Sequence, residues 1–193
     1  MVIMSEYDLL FLGGLVVDGT GSPARRADVG VRGDRVERIA DGIPADGARR
    51  VSEIAGKVVC PGFVDLHSHA DLLFSLGGQD SVRLLEGRVR QGITTELVGN
   101  CGIGVAPVEE DFFPGLRFLT GFITPEGVEW SWRSVAGYLS RLESAGVPLN
   151  VGTLMGHGAV RISVMGMNGD QPGEAQFKEM ESRIRRGMEE GAF

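Results

Sequence analysis

The sequence predicts an α/β protein in which parallel strands alternate with helices, preceded by a small all-β unit. Residues 1–57 contain short apolar runs separated by glycine-rich turns, a pattern typical of strands. From residue 58 onward, apolar runs alternate with stretches of helical periodicity. This is the order expected for parallel strands joined by crossover helices. We therefore predict two domains, residues 1–57 and 58–193.

The first domain is predicted to contain strands and no helix. Residues 7–12 and 14–18 are short apolar runs on either side of Gly13, and we predict two strands with a Gly-Gly turn between them. Residues 28–40 alternate apolar and polar side chains around Gly33 and Asp34, which predicts a hairpin that turns at these two residues. Residues 56–60 return to a strand pattern.

The second domain is predicted to contain three strand–helix units. The strands are predicted in residues 58–69, 94–101 and 150–157, and the helices in residues 80–91, 131–144 and 173–190. In the first helix, Leu84 and Leu85 are predicted to face inward. The second and third helices are each predicted to present one apolar face, formed by Val135, Tyr138, Leu139 and Leu142 and by Phe177, Met180, Ile184 and Met188, respectively. The domain has 193 − 57 = 136 residues, whereas a closed eight-stranded barrel takes about 250 residues. The domain is therefore either a small open α/β domain or the front part of a larger barrel, and the sequence "EEGAF", with a strand expected next, favours the second interpretation.

Composition excludes several classes of partner. The formal net charge is −7, from 19 basic and 26 acidic residues. The sequence lacks a basic patch of the kind that predicts nucleic-acid binding. The start of the chain lacks a signal-peptide pattern, and no apolar run is long enough to cross a membrane. The two cysteines are too few for a disulfide scaffold, so we predict a reducing, cytoplasmic location.

The two histidines of "DLHSH" are the first candidate metal ligands. His67 and His69 are two residues apart, so on a strand they would share a face and could bind one zinc ion through ring nitrogens. Asp65 and Asp71 are nearby carboxylates that could accept the remaining ring N–H groups. A pair of histidines without a metal is the alternative that this spacing leaves open.

The ends of the other two predicted strands also carry candidate site residues. Cys101 lies in "GNCG", where a thiolate would be a strong zinc ligand, although a buried inert cysteine is the alternative. Cys60 is predicted to pack in the interior. His157 is predicted to contact a substrate. Arg161 is predicted either to bind a substrate carboxylate or to form a structural salt bridge.

These residues lie in motifs that resemble the amidohydrolase superfamily. The segment "PGFVDLHSHAD" resembles the superfamily as a whole, and "GNCG" followed by "GHGAVR" resembles its D-aminoacylase branch, the N-acyl-D-amino-acid deacylases. Further similar segments are "DGTGSPARRADVGVRGDRVERIA", "WSWRSVAGYLSRLE" and "MEEGAF". The resemblance extends over nearly the whole chain.

The resemblance implies a (β/α)8 barrel with a small β-sandwich, and one or two zinc ions at the carboxyl ends of the strands. His67 and His69 would bind the metal, and Cys101 would take the place of the carbamylated lysine found in many relatives. Two further histidine ligands and a general acid–base aspartate would lie beyond Phe193. We therefore expect a C-terminal remainder, as a continuation or as a separate chain, and we expect residues 1–193 alone to be inactive.

The implied reaction is zinc-dependent hydrolysis of the amide bond of N-acyl-D-amino acids. Hydrolysis of cyclic amides such as hydantoins or dihydropyrimidines is the alternative within the same superfamily. A non-catalytic module stabilised by a metal is the alternative from another class. Assembly into a homo-oligomer is a further alternative, because the sequence carries no signal for or against it.

Overall fold

The structure, a computed structural model, describes residues 6–193. The chain divides into two compact units, Met1–Pro61 and Gly62–Phe193. The start of the chain, on which the prediction of no signal peptide depends, lies partly outside the described residues. Within residues 6–193, each helix is too short or too polar to cross a lipid bilayer.

The first unit is built on one five-stranded sheet. Its strands are β1 (Leu9–Val16), β2 (Arg25–Arg32), β3 (Arg35–Ala40), β4 (Val51–Glu53) and β5 (Val58–Val59). The order is β3-β2-β1-β4, and β5 also pairs with β1. Strands β1, β2 and β3 are antiparallel, whereas β4 and β5 run parallel to β1. In the described residues of this unit, the one helical segment is a short 3-10 turn, Ala45–Gly47.

The predicted hairpin is confirmed. Arg32 of β2 faces Arg35 of β3, so the turn consists of Gly33 and Asp34. Gly33 has a φ of 58°, a conformation that costs a glycine little. The carboxylate of Asp8 accepts the N–H of Gly33 at 2.8 Å, and this bond closes the turn from outside the hairpin.

The predicted Gly-Gly turn in the first strand is wrong. Strand β1 continues through Gly13 and Gly14, and its pairing with β2 shifts register between Phe11 and Gly14. Gly13 has a φ of 72°, and its N–H donates to the buried carboxylate of Asp28 at 2.8 Å. Glycine here permits an irregularity inside a strand, and the sequence pattern does not distinguish this from a turn.

The second unit is a parallel sheet covered by helices. Its strands are β6 (Phe63–Asp65), β7 (Ile93–Val98) and β8 (Asn150–Thr153), in the order β6-β7-β8, and both pairings are parallel. Its helices are α1 (Asp71–Leu76), α2 (Gly78–Arg90), α3 (Phe113–Thr120), α4 (Val135–Ala145), α5 (His157–Met165) and α6 (Glu174–Glu189). The predicted alternation of parallel strands with helices is therefore confirmed.

Three of these helices were not predicted from the sequence. Helix α1 has six residues, too few for a helical period to be visible. Helix α3 lies in a segment rich in Phe, Pro and Gly, but Pro114 occupies its first turn, where proline is tolerated. Helix α5 begins at His157, the last residue of the strand that the sequence predicts over residues 150–157.

Helix α4 contributes buried side chains to the core of the second unit, together with helices α1, α2, α3 and α5 and the loops between the elements. Val135, Tyr138 and Leu142 are buried at the predicted spacing. The hydroxyl of Tyr138 donates to the backbone oxygen of Asp71 at 2.7 Å, so α4 is tied to the first residue of α1. This contact fixes the start of α1 directly after the histidine motif.

The predicted inner faces of α2 and α6 are only partly buried. In α2, Leu85 is fully buried, but Leu84 is 40% exposed, so the prediction that both face inward is wrong for Leu84. Adjacent helix positions are 100° apart, and one of two neighbours points away from the core. In α6, Met180 is buried, whereas Phe177, Ile184 and Met188 are exposed.

Candidate metal centre

The two histidines lie in the turn after β6 rather than on the strand. Strand β6 ends at Asp65, so the prediction that His67 and His69 share a strand face is wrong. The carboxylate of Asp65 accepts the backbone N–H of His67 at 3.0 Å, a local bond by which an aspartate starts a turn. The turn nevertheless brings the two rings together, with their centroids 5.6 Å apart.

Cys101 lies in the corresponding turn after β7. Residues Asn100–Gly102 form a 3-10 turn, and Gly99 before it has a φ of 83°. A Cβ on Gly99 would lie 2.6 Å from the backbone oxygen of Leu154, so only glycine fits between the strands here. Cys101 itself has a φ of 44°, which is uncommon for a residue other than glycine and marks a constrained position.

Hydrogen bonds join these two turns. The backbone N–H of Ser68 donates to the oxygen of Leu97 at 3.2 Å. The side-chain amide of Asn100 donates to Leu97 at 2.8 Å and to the backbone oxygen of Ser68 at 3.3 Å. The N–H of Gly99 donates to the carboxylate of Asp71 at 2.8 Å. The turn that carries the histidines and the turn that carries the cysteine therefore form one hydrogen-bonded assembly.

The donor atoms of this assembly fit a transition-metal ion. One ligand atom from each of His67, His69 and Cys101 lies within 4.8 Å of the other two, and the Cys101 sulfur is 3.0 Å from Nε2 of His67. The Nδ1 atom of His69 is buried without a hydrogen-bond partner, and buried polar atoms rarely lack one. Two imidazoles and a thiolate are preferred zinc ligands, and three protein ligands leave a position for water or substrate.

The two aspartates predicted to support the histidine rings contact backbone groups instead. Within residues 6–193, neither Asp65 nor Asp71 hydrogen-bonds to an imidazole of the motif. Asp71 is fully buried, and its second oxygen has no partner. Burial raises the pKa of Asp71 to about 6. Their support of the rings stays a prediction, and their observed contacts stabilise the two turns.

His157 lies at the start of α5, close to the Cys101 turn. The flanking glycines pack against that turn, because a Cβ on Gly156 would meet the Gly104 nitrogen at 2.5 Å and a Cβ on Gly158 would meet the Gly102 oxygen at 2.7 Å. The His157 side chain is exposed. Its predicted contact with a substrate stays a prediction.

Arg161 donates to backbone carbonyl groups. Its guanidinium donates to the oxygen of Asn168 at 2.6 Å and to that of Asp170 at 2.7 Å. These bonds stabilise the loop after α5. Binding of a substrate carboxylate by Arg161 stays a prediction.

Sequence reasoning missed several residues at this centre. Ser68 and Asn100 join the turns, and the ring of Phe122 lies 6.2 Å from that of His69 in an edge arrangement. A polar residue between two candidate ligands was the available signal for Ser68. The predicted packing role of Cys60 is wrong, because Cys60 is exposed.

The chain is similar in sequence and in structure to deacylases of N-acyl-D-amino acids. The chain is 36% identical over 190 residues to N-acyl-D-glutamate deacylase of Alcaligenes xylosoxydans xylosoxydans, covering 98% of this chain and 37% of that protein. A solved D-aminoacylase, studied for its binuclear metal centre, superposes with a TM-score of 0.81 at 34% identity and covers 96% of this chain and 37% of that one. The N-acyl-D-glutamate deacylase of Bordetella bronchiseptica, complexed with zinc and a phosphonate inhibitor, gives a TM-score of 0.77 at 34% identity, covering 95% of this chain and 36% of that one.

The resemblance to D-aminoacylases is thus confirmed over nearly the whole chain, and the chain spans about 37% of the length of the first of these relatives. The family model described as the amidohydrolase family matches residues 50–192, which include both ligand-bearing turns and the start of α5. The chain belongs to the amidohydrolase family.

Proposed function

We propose that the protein hydrolyses the amide bond of N-acyl-D-amino acids with the help of one or two zinc ions. The observation that carries this proposal is the cluster of His67, His69 and Cys101, whose donor atoms lie within 4.8 Å of one another at the ends of two parallel strands. The similarity to N-acyl-D-glutamate deacylase and to D-aminoacylase supports the substrate class. The zinc-complexed deacylase supports the identity of the metal.

Each residue of the cluster has a defined part in this proposal. His67 and His69 supply imidazole nitrogens and Cys101 supplies a thiolate, which together hold the metal. When bound, zinc would polarise the acyl carbonyl group and lower the pKa of a water molecule toward neutrality. Asp71 and Asn100 hold the Cys101 turn against the histidine turn, so that the donor atoms converge before the metal arrives.

Residues around the cluster would contact the substrate. The exposed side chain of His157 lies at the start of α5, beside the Cys101 turn, where it can donate a hydrogen bond to the substrate. Arg161, one helical turn further, would attract the substrate carboxylate if its present carbonyl contacts were exchanged. The general acid–base aspartate and the remaining metal ligands would come from later strands.

The proposed architecture is the front of a (β/α)8 barrel, with residues 1–57 contributing to a small β-sandwich and residues 58–193 to the first three βα units. Phe193 supports a fourth strand, because its N–H donates to Thr153 at 2.9 Å and its oxygen accepts from Met155 at 3.4 Å. One residue that bonds in this slanted way to two residues on either side of Leu154 is typical of a parallel ladder. Several apolar side chains of β6 and α6 are exposed, and the later strands and helices of the proposed barrel would cover them. These side chains are Phe63, Val64, Phe177, Ile184 and Met188.

A hydrolysis assay tests the proposal. The protein is purified at the full length that its gene encodes, and the release of amino acid from N-acyl-D-amino acids, their L-enantiomers and hydantoins is measured. We expect turnover of the D-enantiomers, its loss on zinc removal and its recovery when zinc is added. The Cys101→Ser variant should be inactive and the matched variant Cys60→Ser active. Turnover of hydantoins alone, or D-substrate turnover that survives zinc removal, would contradict the proposal.

A further inference from the structure

A buried carboxylate behind the candidate metal centre has no part in the function proposed above. Glu96 lies in β7, and its side chain is 0% exposed. A carboxylate in the interior costs free energy unless it is paired and hydrogen-bonded. Glutamate is almost never fully buried without such partners. The contacts of Glu96 therefore indicate what holds it there.

Glu96 contacts two elements through its two oxygens. Nε of Arg88, in the last turn of α2, lies 2.8 Å from Oε1. The N–H of Arg88 is not aimed at that oxygen well enough for a hydrogen bond, so this contact is an ion pair only. The second oxygen, Oε2, accepts a short hydrogen bond from the hydroxyl of Ser68. Glu96 thus connects helix α2 to the histidine turn.

Ser68 is the residue between the two histidines, and its polar groups have partners on several sides. Besides donating to Glu96, its hydroxyl accepts the backbone N–H of Ala70 at 3.2 Å. Its backbone N–H donates to Leu97, and its backbone oxygen accepts from Asn100. Ser68 is buried, whereas His67 is exposed and His69 is half-buried. The turn is therefore anchored at its middle residue and presents the neighbouring rings outward.

We propose that Glu96, acting through the Ser68 hydroxyl, is a positioning residue for the His67 and His69 rings. This inference rests on the proposed metal site. Ser68 shares a peptide bond with each histidine, so a rotation of the turn about Ser68 would move both rings. The Glu96 contact opposes that rotation because its other oxygen is held by Arg88. Partners that orient metal ligands in this way affect affinity even though they do not touch the metal.

A purely structural role for Glu96 makes a different prediction. An ion pair that joins α2 to β7 accounts for Oε1 and Arg88, but it gives no reason for Oε2 to meet the residue between two ligands. If the network served stability alone, removal of the Ser68 hydroxyl would weaken folding as much as removal of another buried serine hydroxyl, and metal affinity would not change. Ser75 offers that control, since it is buried in α1 and its hydroxyl donates to Leu72 at 2.8 Å.

The experiment measures zinc affinity and folding stability separately. Zinc dissociation constants of the full chain are determined by competition with a chromophoric chelator, and urea midpoints are recorded without metal. The variants are Ser68→Ala, Glu96→Gln and the control Ser75→Ala. Glu96→Gln keeps an oxygen that can accept from Ser68. The Co²⁺-substituted proteins give an absorption spectrum that reports ligand geometry independently of activity.

We expect Ser68→Ala to raise the zinc dissociation constant about 10- to 100-fold and to shift the Co²⁺ absorption bands. Glu96→Gln should bind zinc more tightly than Ser68→Ala, and Ser75→Ala should bind it as the unchanged protein does despite a similar loss in urea midpoint. Unchanged zinc affinity in Ser68→Ala, or an equal loss in Ser75→Ala, would overturn the inference and leave the proposed metal site standing. An unchanged protein that binds no zinc, or a Cys101→Ser variant with unaltered affinity, would overturn both.

Discussion

Asp8 and Asp71 each accept a hydrogen bond from a glycine N–H at 2.8 Å, in very different regions of the chain. Asp8 accepts from Gly33 at the hairpin turn of the first unit. Asp71 accepts from Gly99 at the turn that carries Cys101. Asp8 is partly exposed, whereas Asp71 is fully buried. Of these two contacts, that of Asp8 lies near solvent and that of Asp71 lies in the interior.

The two settings change the pKa of the carboxyl in opposite directions. At Asp8, the Gly33 N–H is the largest influence and lowers the pKa. At Asp71, burial is the largest influence and raises the pKa to about 6. At the surface turn, the Asp8 carboxylate adds a stabilising hydrogen bond and stays in contact with water. The Asp71 contact requires that a carboxyl group be buried in the interior, which costs free energy. Such a cost is found where the surrounding structure has to fix a constrained backbone, and here the fixed residue is Cys101.

The largest effect on zinc binding should come from replacing Cys101 itself. In Cys101→Ser, the proposed thiolate ligand is replaced by a hydroxyl, which is a poor zinc donor. We expect zinc affinity to fall at least about 100-fold, because the loss of a ligand should exceed the loss caused by removing a residue that only orients a ligand. Cys60→Ser is the matched control, because Cys60 is exposed and free. Chelator competition measures both. Equal zinc affinities in the two variants would remove Cys101 from the site.

The next effect comes from exchanging the two aspartates for alanine. Asp71→Ala leaves the buried Gly99 N–H without a partner, and we expect it to lower the free energy of unfolding by about 1–3 kcal/mol and zinc affinity about 10-fold. Asp8→Ala exposes the Gly33 N–H to water, and we expect a smaller loss of stability than in Asp71→Ala, with unchanged zinc affinity. Urea denaturation and zinc titration measure the two quantities. Similar zinc affinities in both variants would show that the Asp71 contact is a structural bond like that of Asp8.

A smaller effect is expected at the loop after α5. Arg161→Ala removes the guanidinium bonds to Asn168 and Asp170, which should cost about 1 kcal/mol of stability and leave zinc affinity unchanged. Thermal unfolding with and without zinc measures this. A large drop in zinc affinity would mean that this loop, like the Asp71 turn, controls the metal site.

The smallest effect is a pH dependence at Asp8. Because the folded pKa is lowered, ionised Asp8 adds stability above its unfolded pKa of about 3.9, and this stability is lost as pH falls through the folded value. The difference in melting temperature between the unchanged protein and Asp8→Asn should therefore be present at pH 7 and become smaller as the pH falls below the unfolded pKa. A difference that grows on acidification would contradict the assignment.

The sequence predicted the elements whose patterns are local. The Gly33–Asp34 hairpin, the parallel strands and the buried stripe of α4 follow from turn chemistry and periodicity. The proposed donor set of His67, His69 and Cys101 could be named from the sequence because histidines and a cysteine coincide with predicted strand ends.

The geometry of the site could not be predicted, because it depends on contacts between distant residues. His67 and His69 come together through a turn anchored by Glu96, which is 28 residues from Ser68. Gly99 is required because Leu154 approaches it across the sheet. The sequence contains these residues, but it does not show that they meet. Glu96 was the available signal, as the one charged residue in the strand predicted over residues 94–101.

X-ray absorption spectroscopy at the zinc edge tests the central claim most directly, since it reports the atoms bound to the metal without requiring turnover. The zinc-loaded chain should show one sulfur at about 2.3 Å and nitrogen ligands at about 2.0–2.1 Å, and the sulfur should disappear in Cys101→Ser but persist in Cys60→Ser. A spectrum with nitrogen and oxygen ligands alone, unchanged by Cys101→Ser, would contradict a site formed jointly by the turns after β6 and β7.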